Sequence, residues 1–271
     1  MTLLQIDWNP APEIIKFGSF ALRYYSLMFV IAFMLGLHLM KKVYINEKIP
    51  LEKLDSLFIY VVIATLLGAR IGHFLFYDPE FLFRKPLEVI LPFKFSPKFE
   101  FTGFAGLASH GAVIGIITAL YFYSKKVLNK PVLFILDRMT MPVAIGGAFV
   151  RIGNLMNSEI IGKPTNGDYG FIFRQLGEDF PRHPAQLYEA VCYAVIFVIV
   201  YFAYWKTDKK NQPGYIFGLF FTLLWSVRFI IEFFKEEQVE GGENWFLDLN
   251  TGQVLSIPLI MVGLYFMFRK K

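Results

Sequence analysis

Seven long apolar stretches constrain the fold of this chain more than any other feature of its sequence. They cover residues of about 18–40, 54–77, 106–124, 133–156, 185–205, 214–234 and 253–268. A helix needs roughly 20 apolar residues to cross the hydrocarbon core of a bilayer, and the stretches are close to that length. The 55% of hydrophobic residues also exceeds what a soluble domain needs. The sequence therefore predicts an all-α, polytopic integral membrane protein with seven transmembrane helices, which we expect to form a single domain over residues 1–271.

Basic residues between the stretches predict the orientation of the protein. The loops after the first, third and fifth stretches carry the lysines Lys41, Lys42, Lys48, Lys53, Lys125, Lys126, Lys130, Lys206, Lys209 and Lys210. Arg269, Lys270 and Lys271 end the chain on the same side. Because cytoplasmic loops are rich in Lys and Arg, we expect the N-terminus outside and the C-terminus in the cytoplasm. The net charge of +5 then reflects topology, and no nucleic-acid partner is expected.

Two of the predicted outer loops have a distinctive composition. The loop after the sixth stretch is acidic, with Glu236, Glu237, Glu240 and Glu243. The loop Asp78–Phe101 is rich in Phe and Pro and carries scattered basic residues. The sequence leaves two interpretations of this second loop open: it rests on the anionic membrane surface, or it is a plain solvated loop.

The stretch R-I-G-N-L-M-N-S-E-I-I-G, from Arg151 to Gly162, is unusually polar for its apolar surroundings. Arg151, Asn154 and Asn157 recur every three residues and Glu159 follows, so one face of a helix end is predicted to be polar. A guanidinium with flanking amides suits a phosphate or a carboxylate, because its planar fork donates two parallel hydrogen bonds. Spacing alone leaves open that these groups only satisfy one another.

Further polar residues stand near the predicted outer ends of the stretches. They are Arg23, Tyr25, Arg70, His73, His183, Gln186, Tyr188, Glu189, Arg228 and Glu232. Ionisable groups at membrane depth usually face a polar cavity, so we expect one shared cavity rather than independent snorkelling. Arg228 and Glu232 are four residues apart, which also predicts an ion pair within one helix.

Histidine and cysteine give weaker signals. His110 lies in S-H-G-A-V-I-G near the start of the third stretch, where a lone histidine is more often structural than catalytic. His38, His73, His110 and His183 lack metal-ligand spacing, so no metal site is expected. The only cysteine, Cys192, lies in an apolar run and is expected to be a packing residue.

The order of these motifs resembles the prolipoprotein diacylglyceryl transferases of the bacterial inner membrane. The strongest match is the stretch Arg151–Gly162. Similar blocks are L-R-Y-Y at Leu22–Tyr25, G-A-R-I-G at Gly68–Gly72, H-G-A-V-I-G at His110–Gly115, R-H-P-A-Q-L-Y-E-A at Arg182–Ala190, R-F-I-I-E-F-F at Arg228–Phe234 and G-Q-V-L-S-I-P at Gly252–Pro258. The chain departs from the family pattern at Ser26, Ala185 and Lys235; the last replaces an arginine, which keeps the charge and loses the fork.

The resemblance implies a reaction, its substrates and its location. A transferase of this family moves the sn-1,2-diacylglyceryl group of phosphatidylglycerol to the lipobox cysteine thiol of a prolipoprotein, forming a thioether and releasing glycerol 1-phosphate, as the first step of bacterial lipoprotein maturation. No cofactor is implied. The partners would be phosphatidylglycerol, the prolipoprotein and membrane lipids, with the site in the outer half of the bacterial inner membrane.

The resemblance also assigns expected roles to residues. We expect His110, Arg151 and Arg228 to be catalytic, with the arginines holding the phosphate and His110 either taking the thiol proton or orienting the glycerol. The expected substrate-binding residues are Tyr25, Arg70, Asn154, Asn157, Glu159, Gly162, Gln186, Tyr188, Glu189 and Glu232.

An alternative class is a seven-span transporter or receptor with an outward-facing anion site. A transporter should continue its polar residues to the cytoplasmic side, where apart from loop lysines they become scarce, and broken segments repeated in two halves are not evident. A metal-dependent phosphotransferase would need a carboxylate cluster, whereas the intramembrane carboxylates here are scattered.

Overall fold

The fold is known from a computed structural model, which describes residues 4–11, 13–17, 20–95, 98–101, 106–167, 169–236 and 249–269. The long helices are α1 (Tyr24–Asn46), α2 (Leu51–Tyr77), α5 (Ser109–Tyr123), α6 (Val132–Met156), α7 (Ala185–Lys206), α8 (Tyr215–Ile231) and α9 (Thr251–Phe268). Two short helices, α3 (Pro79–Arg84) and α4 (Pro86–Ile90), lie between α2 and α5. A π-helical turn, Ser124–Leu128, continues α5.

Most of these helices have the length and composition of membrane spans. Six segments qualify: Tyr24–Asn46, Leu51–Tyr77, His110–Leu128, Val132–Met156, Ala185–Lys206 and Thr251–Phe268. Helix α8 is apolar but has only 17 residues. The structure thus confirms a mostly helical protein of the multi-pass membrane type, whereas the count of seven spans and the orientation of the termini stay predictions.

The N-terminal boundary differs from the prediction. The first stretch was expected from residue 18, but Phe20–Arg23 forms a strand, β3, that pairs antiparallel with β2 (Glu13–Phe17). Helix α1 begins at Tyr24 and continues to Asn46, so Lys41 and Lys42 lie in the helix rather than in a loop. Lysine is a good helix former, which lets the helix continue past the apolar stretch.

Two further pairs of strands were not predicted. Strand β1 (Gln5–Trp8) pairs in parallel with β6 (Gly170–Phe173), and β4 (Phe93–Lys94) pairs antiparallel with β5 (Glu100–Phe101). These strands are two to four residues long, too short for a periodic pattern to reveal. Of the acidic loop, only Glu236 belongs to the described residues; Glu237, Glu240 and Glu243 lie outside them.

The chain divides into two compact units. The first consists of Met1–Met40 with Leu136–Lys271, and the second of Lys41–Ile135. In the first unit, Leu155 of α6 forms a small apolar core with Phe171 and Phe173 of β6, and this core packs against Trp8, Ile161 and Leu187. The indole of Trp8 donates a hydrogen bond of 2.9 Å to the carbonyl of Leu155, which fixes β1 on the end of α6.

A buried carboxylate joins α6 to α8 at their other ends. Asp137 accepts hydrogen bonds from the backbone N–H groups of Gly214 (2.7 Å) and Phe217 (2.8 Å), two donors at the start of α8. The neighbouring Arg138 lies 3.9 Å from Asp137 and over the ring of Tyr204. These contacts fix α8, the helix that carries Arg228, against α6, the helix that carries Arg151.

Glycines set the distance between α2 and α5 in the second unit. A Cβ atom on Gly68 would lie 2.5 Å from the carbonyl oxygen of Gly111, and one on Gly72 would lie 2.5 Å from the Cα of Gly111. The two helices therefore touch through their backbones, as small residues allow in membrane helices.

Candidate functional site

The end of α6 shapes the polar stretch that the sequence singles out. The N–H of Glu159 donates to the carbonyl of Asn154 (2.9 Å), and the N–H of Ser158 donates to that of Leu155 (3.1 Å). This is the Schellman pattern of a helix C-terminus, and it requires a left-handed residue at Ser158, whose φ is 53°. Ile160 also has a positive φ of 58°, which is costly for a β-branched residue. The position of Glu159 is therefore set by its two neighbours in the chain, Ser158 and Ile160, whose backbone conformations are strained.

The polar groups at this helix end do not lie on one helical face as predicted. Helix α6 ends at Met156, and Glu159 lies in the turn beyond it. Its carboxylate returns toward the helix and accepts hydrogen bonds from the amides of Asn154 (3.2 Å) and Asn157 (3.1 Å). The turn, rather than helical spacing, brings these three side chains together.

Arg151 is held on several sides. Its Nε lies 2.7 Å from Oε2 of Glu189 on α7, and Nη1 donates to Oδ1 of Asn154 at 3.3 Å. The buried hydroxyl of Tyr193, one turn along α7 from Glu189, also hydrogen-bonds with this guanidinium. A guanidinium that contacts a carboxylate, an amide and a hydroxyl is fixed in its orientation.

A row of ion pairs continues from Arg151 to Arg228. Lys235 Nζ lies 3.9 Å from Oε1 of Glu189 and 3.2 Å from Oε1 of Glu232. Glu232 in turn lies 4.0 Å from Nη2 of Arg228, the pair that the sequence predicted within one helix. The row thus joins α6, α7 and the C-terminal end of α8. Its three cations and two carboxylates leave a formal charge of +1.

Two close approaches complete this cluster. Tyr25, at the start of α1, hydrogen-bonds with Asn154, and a Cβ atom on Gly153 would lie 2.9 Å from the Tyr25 ring. A Cβ atom on Gly252, at the start of α9, would lie 2.5 Å from Oε1 of Glu232. The glycines therefore permit the positions of Tyr25 and Glu232.

Gly162, Gln186 and Tyr188 lie beside the cluster in supporting contacts. The N–H of Gly162 donates to the carbonyl of His183 (3.0 Å), and a Cβ atom there would collide with that carbonyl. Gln186 donates to the carbonyl of Glu159 at 2.5 Å. The hydroxyl of Tyr188 lies 3.2 Å from Nδ1 of His183, and burial lowers the pKa of this histidine below its usual 6.5.

The remaining two predicted site residues belong to the second unit. Arg70 is buried, and it donates to the carbonyls of Val89 (Nε, 3.1 Å) and Glu88 (Nη2, 2.7 Å). These contacts favour a structural role for Arg70. Its role in substrate binding stays a prediction. His110 is the second residue of α5 and is exposed. Its catalytic role also stays a prediction.

Sequence reasoning missed two residues of the cluster. Lys235 was noted only as a departure from the family pattern, yet its ammonium lies between the two carboxylates. Tyr193 was not considered, although it follows Glu189 by four residues and therefore shares its face of α7. That spacing was the available signal for Tyr193.

The cluster has the chemistry of an anion site. Two guanidiniums and an ammonium in a poorly solvated place can hold a phosphate or stabilise a developing oxyanion. Within the part of the chain that the structure describes, no group of three or more His, Cys, Asp or Glu side chains could hold a metal ion.

Comparison with known proteins identifies the family. The sequence profile of the prolipoprotein diacylglyceryl transferase family matches residues 12–269. The chain is 40% identical over 264 residues to a phosphatidylglycerol–prolipoprotein diacylglyceryl transferase of Chloroherpeton thalassium, covering 97% of this chain and 94% of the relative. Identity is 41% over 268 residues (98% and 95%) to the enzyme of that name from Bacteroides fragilis and 39% over 262 residues (96% and 95%) to that of Tolumonas auensis. This chain, a multi-pass membrane transferase, therefore belongs to the prolipoprotein diacylglyceryl transferase family.

Proposed function

We propose that this protein transfers the sn-1,2-diacylglyceryl group of phosphatidylglycerol to the lipobox cysteine of a prolipoprotein. The bond that breaks joins the glycerol carbon of the diacylglyceryl group to a phosphate oxygen, and the bond that forms joins that carbon to the cysteine Sγ. The products are a thioether and glycerol 1-phosphate. The observation that carries the proposal is the row of ion pairs that joins Arg151 to Arg228.

The charge of this row suits the substrate. A phosphodiester carries one negative charge, which matches the formal +1 of the three cations and two carboxylates. Arg228 is the less restrained arginine, since its contact with Glu232 is 4.0 Å long and its Nε is buried with no hydrogen-bond partner among the described residues. Arg228 would therefore bind the phosphate most directly, while Arg151 is held in a fixed direction by Glu189.

The leaving group gains negative charge as the C–O bond breaks. Donors already oriented in a poorly solvated site stabilise such charge by about 3–4 kcal/mol each, because they need no reorganisation during the step. Arg151 and Arg228 would supply this stabilisation. Asn154, Asn157 and Glu159 would hold the headgroup and the arginine, with Tyr25 at the edge of the cavity.

The nucleophile must be a thiolate. A cysteine with a pKa near 8.5 is only a few per cent ionised at neutral pH, so the site must remove the proton or favour the anion. We assign this step to His110, which would accept the thiol proton and pass it to the departing phosphate. The positive field of the arginines is the competing source of thiolate.

Membership of the family supports a proposal for the wider setting of the site. We propose that residues 1–271 form one domain with seven spans, the N-terminus outside and the C-terminus in the cytoplasm of a bacterium. The site would lie in the outer half of the inner membrane, where phosphatidylglycerol and the exported prolipoprotein meet. No cofactor is required by the bonds that form and break.

A reconstituted assay tests the reaction. Liposomes containing phosphatidylglycerol, a lipobox peptide and the purified protein should give a peptide whose mass increases by one diacylglyceryl group. Arg151→Ala and Arg228→Ala should abolish this increase. Arg174→Gln is the matched control, because Arg174 is exposed and pairs with Asp7 outside the cluster, so full activity is expected. Unmodified peptide with folded wild-type protein would overturn the proposed function.

A second experiment tests the role of His110. If His110 takes the thiol proton, His110→Gln should lower kcat about 100-fold and remove the limb of the pH profile that belongs to this base. Activity that persists with an unchanged pH profile would leave thiolate formation to the arginines and reduce His110 to orienting the glycerol.

A further inference from the structure

The first part of the segment between α2 and α5, residues 78–91, is built as an ordered element rather than as a loose loop. Arg70 of α2 fixes α4 through two hydrogen bonds to the carbonyls of Val89 and Glu88, and the side chain of Val89 is buried. Phe81 of α3 stacks on Phe74 of α2, with ring centroids 4.7 Å apart and an interplanar angle of 11°. The segment is thus attached to the end of α2 at two places.

The outward side of this segment is strongly apolar. Phe83 is 86% exposed, Leu87 60%, Ile90 45% and Leu91 39%, all within nine residues. The end of α2 beside them is equally apolar, with Phe76 60% and Tyr77 72% exposed. Several large apolar side chains exposed within one short segment indicate a binding face, since water is a poor solvent for them.

The charges of the segment are paired and balanced. Glu80 lies 2.7 Å from Arg84, and Lys85 lies 3.3 Å from Glu88. Residues 78–101 contain four basic side chains (Arg84, Lys85, Lys94, Lys98) and four acidic ones (Asp78, Glu80, Glu88, Glu100), so their net charge is zero. A segment without net charge is not attracted to a membrane by anionic lipid headgroups.

We propose that α3 and α4 form an interfacial anchor that inserts Phe83, Leu87 and Leu91 among the acyl chains of the leaflet at the end of α2. The occupant of this face is lipid, because the segment directly follows the exposed apolar end of α2, a candidate span. The paired charges lie at headgroup level, where long basic side chains keep their charged ends in water. Of the two interpretations left open by the sequence, the structure favours the membrane surface, with apolar insertion in place of attraction to anionic lipid.

The anchor can be tested without any transferase assay, so its failure is independent of the proposed reaction. The full chain is prepared with Cys192→Ser, which removes its only cysteine. An environment-sensitive fluorophore is then attached at Phe83→Cys or Leu87→Cys, and the protein is reconstituted in phosphatidylcholine liposomes. Glu80→Cys, on the charged edge of α3, and Asn166→Cys, in an exposed loop of the other unit, are the controls.

Lipids with a quencher on the acyl chain should reduce the emission of the labels at 83 and 87 about twofold, whereas aqueous iodide should have little effect on them. The controls should show the reverse. Liposomes with added phosphatidylglycerol should give the same quenching, because the segment has no net charge.

Two results would overturn the anchor. Strong iodide quenching at 83 and 87 would make the segment a solvated loop. If the lipid quencher leaves the emission unchanged and a lipobox peptide alters it, the face is a protein-docking surface. Phe83→Asp with the label at 87 gives a second measurement, in which the lipid quenching at 87 should fall while the helix content by circular dichroism stays unchanged.

Discussion

Two arginines at the ends of apolar helices, Arg70 and Arg151, have different kinds of partner. Arg70 donates to two main-chain carbonyls, whereas Arg151 contacts the carboxylate of Glu189 and the amide of Asn154. The sequence placed both in one class, as ionisable groups at membrane depth that face a cavity. Their observed partners show that the two arginines belong to different classes.

The two arginines differ in whether an incoming ligand can replace their partners. Carbonyls of α4 are fixed by the helix, so Arg70 holds a segment of the chain through them. Glu189 also contacts Lys235, so the carboxylate is shared and the local charge can rearrange when an anion arrives. An arginine with carboxylate partners can therefore respond to a ligand, and an arginine with carbonyl partners stabilises the fold.

Replacing Arg151 by lysine is expected to have the largest effect. Lysine keeps the charge but loses the fork that contacts Glu189 and Asn154, so kcat/KM in the liposome assay should fall by about 10²–10³. Arg174→Lys is the matched control, since Arg174 makes a bidentate contact with Asp7 (2.8 and 3.1 Å) outside the cluster. Near-normal turnover of Arg151→Lys would break the comparison, because charge alone would then suffice.

The opposite result is expected for Arg70→Met. The change leaves two buried carbonyls without their donor, which should cost about 2–4 kcal/mol and lower the melting temperature measured in detergent. The kcat of the remaining folded protein should stay within a few-fold of wild type. Arg84→Met is the control, because its exposed ion pair with Glu80 contributes about 0–1 kcal/mol. A stable but inactive Arg70→Met protein would return Arg70 to the site.

The fold could be predicted where it depends on long apolar runs. The observed helices α2 and α6 begin within three residues of the predicted stretches and end at the predicted residues, because length and hydropathy decide a membrane helix. The hairpin of β2 and β3 could not be predicted, since Phe20, Ala21 and Leu22 are as apolar as the helix they precede. Its strand structure depends on pairing with Glu13–Phe17, which composition does not encode.

The site was predictable in its members and less so in its geometry. The stretch Arg151–Gly162 does bring Asn154, Asn157 and Glu159 together, but through a left-handed turn at Ser158 instead of a helical face. A serine gives no warning of a positive φ, which glycine would have given. Lys235 was underrated because a single position says nothing about which carboxylates lie near it.

A smaller effect is expected for Tyr193→Phe, which sharpens the comparison at Arg151. The ring would keep its packing against Gly147, while Arg151 would lose one neutral partner and retain Glu189 and Asn154. We expect kcat to fall about 3–10-fold, the equivalent of one hydrogen bond of about 1 kcal/mol, with KM unchanged. Tyr201→Phe on the same helix should have no effect. A loss beyond about 100-fold would instead indicate that the Tyr193 hydroxyl contacts the reacting groups.

The smallest expected effect is a pH dependence of stability that comes from His183. Burial lowers the pKa of His183 in the folded protein below 6.5, so around that pH the unfolded chain binds more protons than the folded one. The contribution of neutral His183 to stability is therefore complete above pH 6.5 and declines as the pH falls from 6.5 to the lowered folded pKa. Arginine side chains in general stay charged throughout this window.

Melting temperatures between pH 7.5 and 5.5 should therefore decline more steeply for wild type than for His183→Gln, because glutamine occupies a similar volume and does not titrate. The contact of Nδ1 with the Tyr188 hydroxyl is the one that protonation affects, since a protonated Nδ1 can only donate a hydrogen bond there. Parallel curves for the two proteins would mean that protonated His183 is tolerated beside Tyr169 and Phe234.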